Sequence, residues 1–368
     1  MSSNATRIRE LCEKMDAESV FHLSLHSKEL FHSNIIAWFC EKYPSPAKKV
    51  FEKWASSRNS TEHRVLREHK FIDLIIELPG LAPIVIENKV FAPIDEMQLI
   101  KYAEEKELKN FERPDFVCLS LGAPTWKESG FVTPSGHTWV YLSYQSLATG
   151  LADVVEEIGG FDGELLKGYV RFVQLLQNLA EELGFPDSHE SITINDSIRV
   201  YLQKIRMHDA FDKLRSRSAM AMLEKSLKSQ FDFEDVEFKT GFTNGEPLME
   251  AFVPFANGDR VGWQLQGIQW RLAVKTASYV GSSDESIQRR HDYVATEYSS
   301  WFDFSDIPLM IAGFSDKTPP IEKQGGFNRF NPDFVHRYRK IPGLTIAQLQ
   351  MLSTHYIKRA IELRGSAN

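Results

Sequence analysis

Asp73, Glu87 and Lys89 are the residues whose types and spacing point most directly to chemistry. They sit in two apolar runs, Phe71-Ile72-Asp73-Leu74-Ile75-Ile76-Glu77-Leu78 and Ile84-Val85-Ile86-Glu87-Asn88-Lys89, with Pro79-Gly80 between them. The pattern reads as strand, turn, strand. Facing residues of an antiparallel pair have a constant index sum, so a turn centred on Gly80 sets Asp73 across from Glu87. Facing side chains then have Cβ atoms roughly 4.5–5.5 Å apart. Glu87 and Lys89 are two apart and project from one strand face. Two carboxylates and one ammonium are therefore expected to converge.

Two neighbouring carboxylates repel, which favours protonation of one of them. A bound divalent cation removes the repulsion, and hard Mg²⁺ or Mn²⁺ prefers oxygen ligands. A metal also lowers the pKa of a bound water, a potential nucleophile. Lys89 could orient that water or stabilise charge building on a phosphate. The competing reading is a cross-strand ion pair on an exposed sheet face, and Glu-x-Lys alone does not separate the two. The apolar neighbours on both sides weigh against the exposed face.

Two helices are expected to flank this hairpin. Upstream, Ser27-Lys28-Glu29-Leu30-Phe31-His32-Ser33-Asn34-Ile35-Ile36-Ala37-Trp38-Phe39 is rich in apolar residues, with Ser27 as a plausible N-cap. Glu29 in its first turn also suits the helix dipole, which is a purely structural role. Downstream, Asp95-Glu96-Met97-Gln98-Leu99-Ile100-Lys101-Tyr102 reads as a helix. Gln98 and Tyr102 are four apart and share a face. In isolation they read as surface or packing residues.

This order of a helix with Glu29, a strand with Asp73, a strand with Glu87-Asn88-Lys89 and a helix with Gln98 and Tyr102 resembles the PD-(D/E)XK nuclease superfamily. The likeness is greatest to its standalone bacterial members with an Ile-Glu-Asn-Lys strand and a following Gln-x-x-x-Tyr helix. The resemblance implies a restriction-endonuclease-like core and metal-dependent phosphodiester hydrolysis. It implies metal ligation by Asp73, Glu87 and the Asn88 carbonyl, and a catalytic Lys89. Glu29 would be an accessory acid, and Gln98 and Tyr102 would line the site. Ile72 stands where the name-giving proline would be. The motifs run from about Ser27 to Tyr102, with weaker likeness over 139–144 and 334–341.

The 368 residues suggest two domains. A hydrophobic fraction of 42% and a charged fraction of 25% are those of a soluble globular protein. No apolar run approaches the ~20 residues that span a bilayer, and the N-terminus lacks the apolar segment of a secretory signal. Membrane association is not expected. Cys12, Cys40 and Cys118 are too few and too scattered for a disulfide framework or a zinc site, and fit the cytoplasm. Net charge is −7, with 20 basic and 27 acidic residues in 1–185 and 23 of each in 186–368. Nonspecific duplex binding depends on phosphate neutralisation, so an acidic N-terminal half argues against a tight nonspecific DNA binder. It leaves room for an enzyme engaging a short stretch.

Helices are expected over 7–24, 27–43 and 47–56, with Pro44-Ser45-Pro46 as a stop. The hairpin follows over 64–91, the Gln98 helix runs to about 108, and strands lie at 116–121 and 139–142. Helices over 144–157 and 163–184 close the first half. Gly184-Phe185-Pro186-Asp187 is the expected boundary, giving domains 1–185 and 186–368. The fold class is α/β: a restriction-endonuclease-like mixed sheet flanked by helices, with a second, smaller α+β C-terminal domain. That domain is expected to have helices over 194–229, strands at 236–240, 248–254, 261–265 and 269–274, and a closing helix over 345–364.

Arg64, Arg67 and Lys70 precede the Asp73 strand and are candidates for holding phosphates, against the alternative of a solvated loop or edge strand. Arg337 and Arg339 would share one strand face, near Arg329 and Phe330, as a nucleic-acid platform. The alternative is an ordinary polar strand face. No Gly-x-Ser-x-Gly, phosphate loop or Gly-x-Gly-x-x-Gly is present, so serine hydrolysis, ATP and NAD are not indicated. The resulting expectation is a Mg²⁺- or Mn²⁺-dependent nuclease acting on DNA, with the C-terminal domain serving substrate choice or homodimerisation. Defence against foreign DNA would suit such a standalone enzyme. The rival readings are an inactive nuclease fold that binds nucleic acid or protein, and an interaction protein with no nucleic-acid role.

Overall fold

Strands β1 (Arg64–His69), β2 (Ile72–Glu77) and β3 (Ile84–Lys89) form an antiparallel meander, and the last two build the expected hairpin. The computed structural model describes residues 3–366 apart from 26–27, 70–71, 92–93, 95, 107, 109–110, 123, 125, 127–129, 184–188, 231–234, 244–245, 315–326 and 331. The N-cap expected at Ser27, the phosphate contact expected at Lys70 and the boundary at 184–187 lie outside these residues. The β2–β3 register is Leu74↔Ile86, Ile75↔Val85 and Ile76↔Ile84. Gly80, in the turn, has φ +85°, a conformation glycine adopts without strain.

The chain divides into two compact units, Met1–Gly184 with Asp196–Phe211, and Phe185–Asn195 with Asp212–Asn368. In the first, the meander follows helices α1 (Ser3–Asp16), α2 (Ser19–Ser24), α3 (Lys28–Lys42) and α4 (Pro44–Phe51). Pro44 opens α4 at its first turn, where its missing N–H costs nothing, so the expected stop is also a start. After the meander come α5 (Glu96–Ala103), β4 (Asp115–Ser120), β5 (Phe131–Val132), β6 (Thr138–Ser143), α6 (Tyr144–Ile158) and α7 (Gly160–Leu183). The sheet order is β1-β2-β3-β4-β6-β5, with β3, β4 and β6 parallel. Ile84, Val85 and Ile86 are all buried, as expected of strands covered on both faces. One face packs on α5 through Ile75, Val85, Leu99, Phe116, Cys118 and Trp139. Helix α8 (Asp196–Lys204) packs on α1, which keeps that segment with the first unit.

The second unit contains most of α9 (His208–Gln230), then β7 (Glu237–Thr243), β8 (Glu246–Pro254), β9 (Arg260–Gln266) and β10 (Gln269–Lys275). It continues with α10 (Asp284–Glu297), α11 (Ile307–Met310), β11 (Asn328–Phe330), β12 (Phe334–Lys340) and α12 (Ile346–Ser366). Its sheet is antiparallel in the order β11-β12-β10-β9-β8-β7. The core stacks Trp263 on Trp270, centroids 4.7 Å apart, with Trp301 and Tyr356 beside them. Residues 189–195 belong here because Ile192 N donates to Leu344 O and Arg215 Nη2 donates to Ser191 O. Among the described residues no helix is long and apolar enough to cross a membrane.

Candidate metal and catalytic site

The register that pairs Leu74 with Ile86 brings Asp73 beside the Glu87 end of β3. Asn88 N donates to Asp73 Oδ2 at 2.7 Å, which ties the aspartate to that strand. Lys89 Nζ lies 2.6 Å from Glu87 Oε1. The Glu87 side chain is 2% exposed and that of Lys89 17%. The Glu87 and Asp73 carboxyls are in contact. Two carboxylates cannot hydrogen-bond to each other unless one carries a proton. Glu87 Oε2 is buried with no hydrogen-bond partner among the described residues.

Two carboxylates and one ammonium leave an excess negative charge in a nearly dry spot. Burial, then the Asp73 charge, pushes the Glu87 carboxyl up to about 8. Burial raises Asp73 as well, against the opposing hydrogen bond from Asn88 N. Burial opposes the Lys89 ammonium, yet Glu87, Asp73 and Glu29 together hold it above its ordinary value. The metal-free site is thus a charged lysine beside a carboxyl pair that tends to share one proton.

Glu29 lies in the first turn of α3. Its Oε1 accepts from Phe91 N at 3.0 Å, and its charge acts on Asp73 and Lys89. Gln98 Nε2 donates to Tyr102 Oη at 2.5 Å on α5, as their four-residue spacing predicts. Burial raises the Tyr102 phenol, with Glu87 adding to the effect. The Asn88 side chain faces the other way. Its Nδ2 donates to Ser33 Oγ at 2.9 Å and to Glu29 O at 3.4 Å, and its Oδ1 accepts from Tyr144 Oη at 2.5 Å. This buried clasp holds α3 and α6 to β3. Sequence reasoning missed Ser33 and Tyr144. Ser33 had a signal, since it lies four residues after Glu29 on the same helix face.

Among the described residues each basic candidate has a partner of its own. Arg64 pairs with Glu77, its cross-strand neighbour, at 2.7 Å and covers the Phe111 ring. Arg67 is exposed and donates to Asn34 Oδ1 on α3. In the second unit Arg337 lies over Phe327 and Phe302, and Arg339 over Phe304. Both rest on aromatic rings, which makes them packing residues as much as charges.

Among the described residues no three His, Cys, Asp or Glu side chains gather into a metal-holding group. Mg²⁺ needs less, since one or two carboxylates with several waters suffice. The Asp73–Glu87 pair, with a buried oxygen lacking a donor, has the chemistry to hold such a cation. Residues 19–174 match the sequence profile of the PD-(D/E)XK nuclease superfamily. Neither a curated protein nor a solved structure matches the chain.

Proposed function

From a chain that carries a PD-(D/E)XK nuclease superfamily domain over residues 19–174, we propose that this protein hydrolyses phosphodiester bonds of DNA with Mg²⁺ or Mn²⁺. The observation that carries this reading is the Asp73–Glu87–Lys89 cluster, in which Glu87 is buried and its Oε2 has no hydrogen-bond partner among the described residues. Asp73, Glu87 and the Asn88 main-chain carbonyl would hold the metal. Bound there, it would stabilise phosphate charge and make a water more acidic.

The protein's own groups supply the rest. Glu87 orients the Lys89 ammonium, which remains partly exposed and has three N–H donors. Lys89 donates to a phosphate oxygen as negative charge builds on it, an interaction that strengthens in the transition state. Glu87 first, then Asp73 and Glu29, keep Lys89 protonated against its burial. Gln98 is held by the hydrogen bond it donates to Tyr102 Oη, and the pair lines the approach to the two carboxylates. With an acidic chain overall, the phosphate charge must be met locally, by the metal and Lys89 rather than by a broad basic surface.

Cleavage of plasmid and single-stranded DNA in Mg²⁺ or Mn²⁺ tests the reading. Wild type should cut, and Glu87→Ala and Lys89→Ala should not. Equal cutting by all three would overturn the site assignment, and no cutting by wild type would favour an inactive, binding member of the fold.

A further inference from the structure

The sheet of the second unit has two faces of different character. One sends Trp270, Leu272 and Val274 from β10 and Val335 from β12 into the core. The other presents Gln269 and Arg271 from β10 and, across the ladder, His336 and Tyr338 from β12, with Arg271 opposite Tyr338. Asn328 on β11 pairs with His336. Together with Phe327 these residues line a cleft of about 580 Å³, within the ~300–1,000 Å³ typical of small-molecule sites.

Three groups in this cleft are incompletely matched. Arg271 donates from Nη1 to Gln264 Oε1 at 2.8 Å, and from Nε and Nη2 to Gln269 Oε1 at 3.1 and 2.8 Å, all neutral amide oxygens. The next carboxylate along this network, Glu250, accepts from Gln264 and is already matched by Lys275 at 2.9 Å. Among the described residues, Arg271 thus keeps a positive charge that no direct carboxylate partner offsets. Asn328 Nδ2 and His336 Nδ1 are buried with no hydrogen-bond partner among the described residues. His336 is buried and uncharged near neutrality, held down to about 3 by burial and by Arg271.

A guanidinium fork held in place by amides suits a phosphate. Base edges offer the donors and acceptors that a free amide and an imidazole nitrogen need. Tyr338 and His336 supply flat surfaces beside them. The geometry points to a second ligand site in this protein, in which Arg271 binds the phosphate of a nucleoside phosphate and Asn328 and His336 read its base. The same chemistry is found in a free mononucleotide and at the 5′-phosphorylated end of a strand. The site shares no residue with the Asp73–Glu87 cluster, so it stands whether or not the protein cuts DNA.

Equilibrium dialysis of the full chain in EDTA, on a Glu87→Ala background that prevents cleavage, tests this. The probes are ribonucleoside 5′-monophosphates, the matching nucleosides, inorganic phosphate, and an oligonucleotide with and without a 5′-phosphate. At least one monophosphate or the 5′-phosphorylated strand should bind, more tightly than its unphosphorylated form. Mononucleotide binding identifies a free ligand, and binding of the phosphorylated strand alone identifies a strand end. Arg271→Gln should weaken binding roughly tenfold or more, and Arg271→Lys should restore part of it. Asn328→Ala should weaken nucleotide binding while leaving that of inorganic phosphate unchanged. Unchanged melting temperatures verify that the variants fold. A Glu87→Ala protein that binds none of the phosphate-bearing probes, binds nucleotides no better than inorganic phosphate, or binds as well after Arg271→Gln would overturn the assignment.

Discussion

Lys89 Nζ lies 2.6 Å from Glu87 Oε1, while the other oxygen of the same carboxylate is buried with no hydrogen-bond partner among the described residues. The ion pair therefore satisfies half of the carboxylate. A private salt bridge would have turned both oxygens to donors. The unmet oxygen and the adjoining Asp73 carboxyl leave room for a cation's charge.

A divalent metal should stabilise the protein. A ligand that binds only the folded state adds about 2.7 kcal/mol at roughly a hundred times its Kd. Scanning calorimetry should show the melting temperature rising with Mg²⁺ or Mn²⁺ in wild type. The rise should vanish in Asp73→Asn and Glu87→Gln.

Glu87→Gln should stabilise the metal-free protein as it abolishes activity. The folded carboxyl titrates at about 8, above its ordinary 4.5. The protonated form therefore contributes stability that is fully present below 4.5 and is lost as pH rises through about 8. In EDTA, the melting-temperature advantage of Glu87→Gln should grow across that window. An advantage that shrinks with rising pH would contradict the charge account.

Tyr144→Phe should cost about 1–3 kcal/mol, the usual penalty for a buried acceptor left without its donor, here Asn88 Oδ1. Denaturant unfolding measures it. Because Asn88 N also ties Asp73 to β3, cleavage should fall as well, though less than in Lys89→Ala.

His32 is wholly buried on α3, against Tyr169 Oη at 2.9 Å, and stacked on Phe172. Burial lowers it from 6.5 to about 3, so it stays neutral in the folded state. The unfolded chain takes up the proton first as pH falls below 6.5. His32 therefore costs stability progressively from 6.5 down towards 3, by up to about 1.4 kcal/mol per pH unit. His32→Leu should flatten this acid sensitivity in the unfolding free energy. An unchanged pH slope would mean that His32 is not held neutral.

The hairpin was legible because its register follows from counting. Pro79-Gly80 fixes the turn, the index sum places Asp73 near Glu87, and the spacing of two puts Lys89 on Glu87. The mixed sheet and the antiparallel second sheet were readable from runs of β-branched and aromatic residues. Less legible were features set by tertiary choice. Pro44 is compatible with ending one helix and beginning the next, and only packing selects both. Helix α8 joins the first unit through its packing on α1, although it follows Gly184-Phe185-Pro186-Asp187 in sequence. On β12, alternation correctly put Arg337 and Arg339 on one face. It could not show that this face meets Phe302 and Phe304, that His336 and Tyr338 face the cleft, or that Phe327 touches both Arg337 and the cleft. The Asn88 clasp was hidden because Ser33 and Tyr144 are far from it in sequence.

Anomalous diffraction from crystals soaked in Mn²⁺ tests the central claim most directly. The account predicts a peak between the Asp73 and Glu87 carboxylates, within coordination distance of both. Crystals with no peak there, and with Lys89 still paired to Glu87, would contradict it.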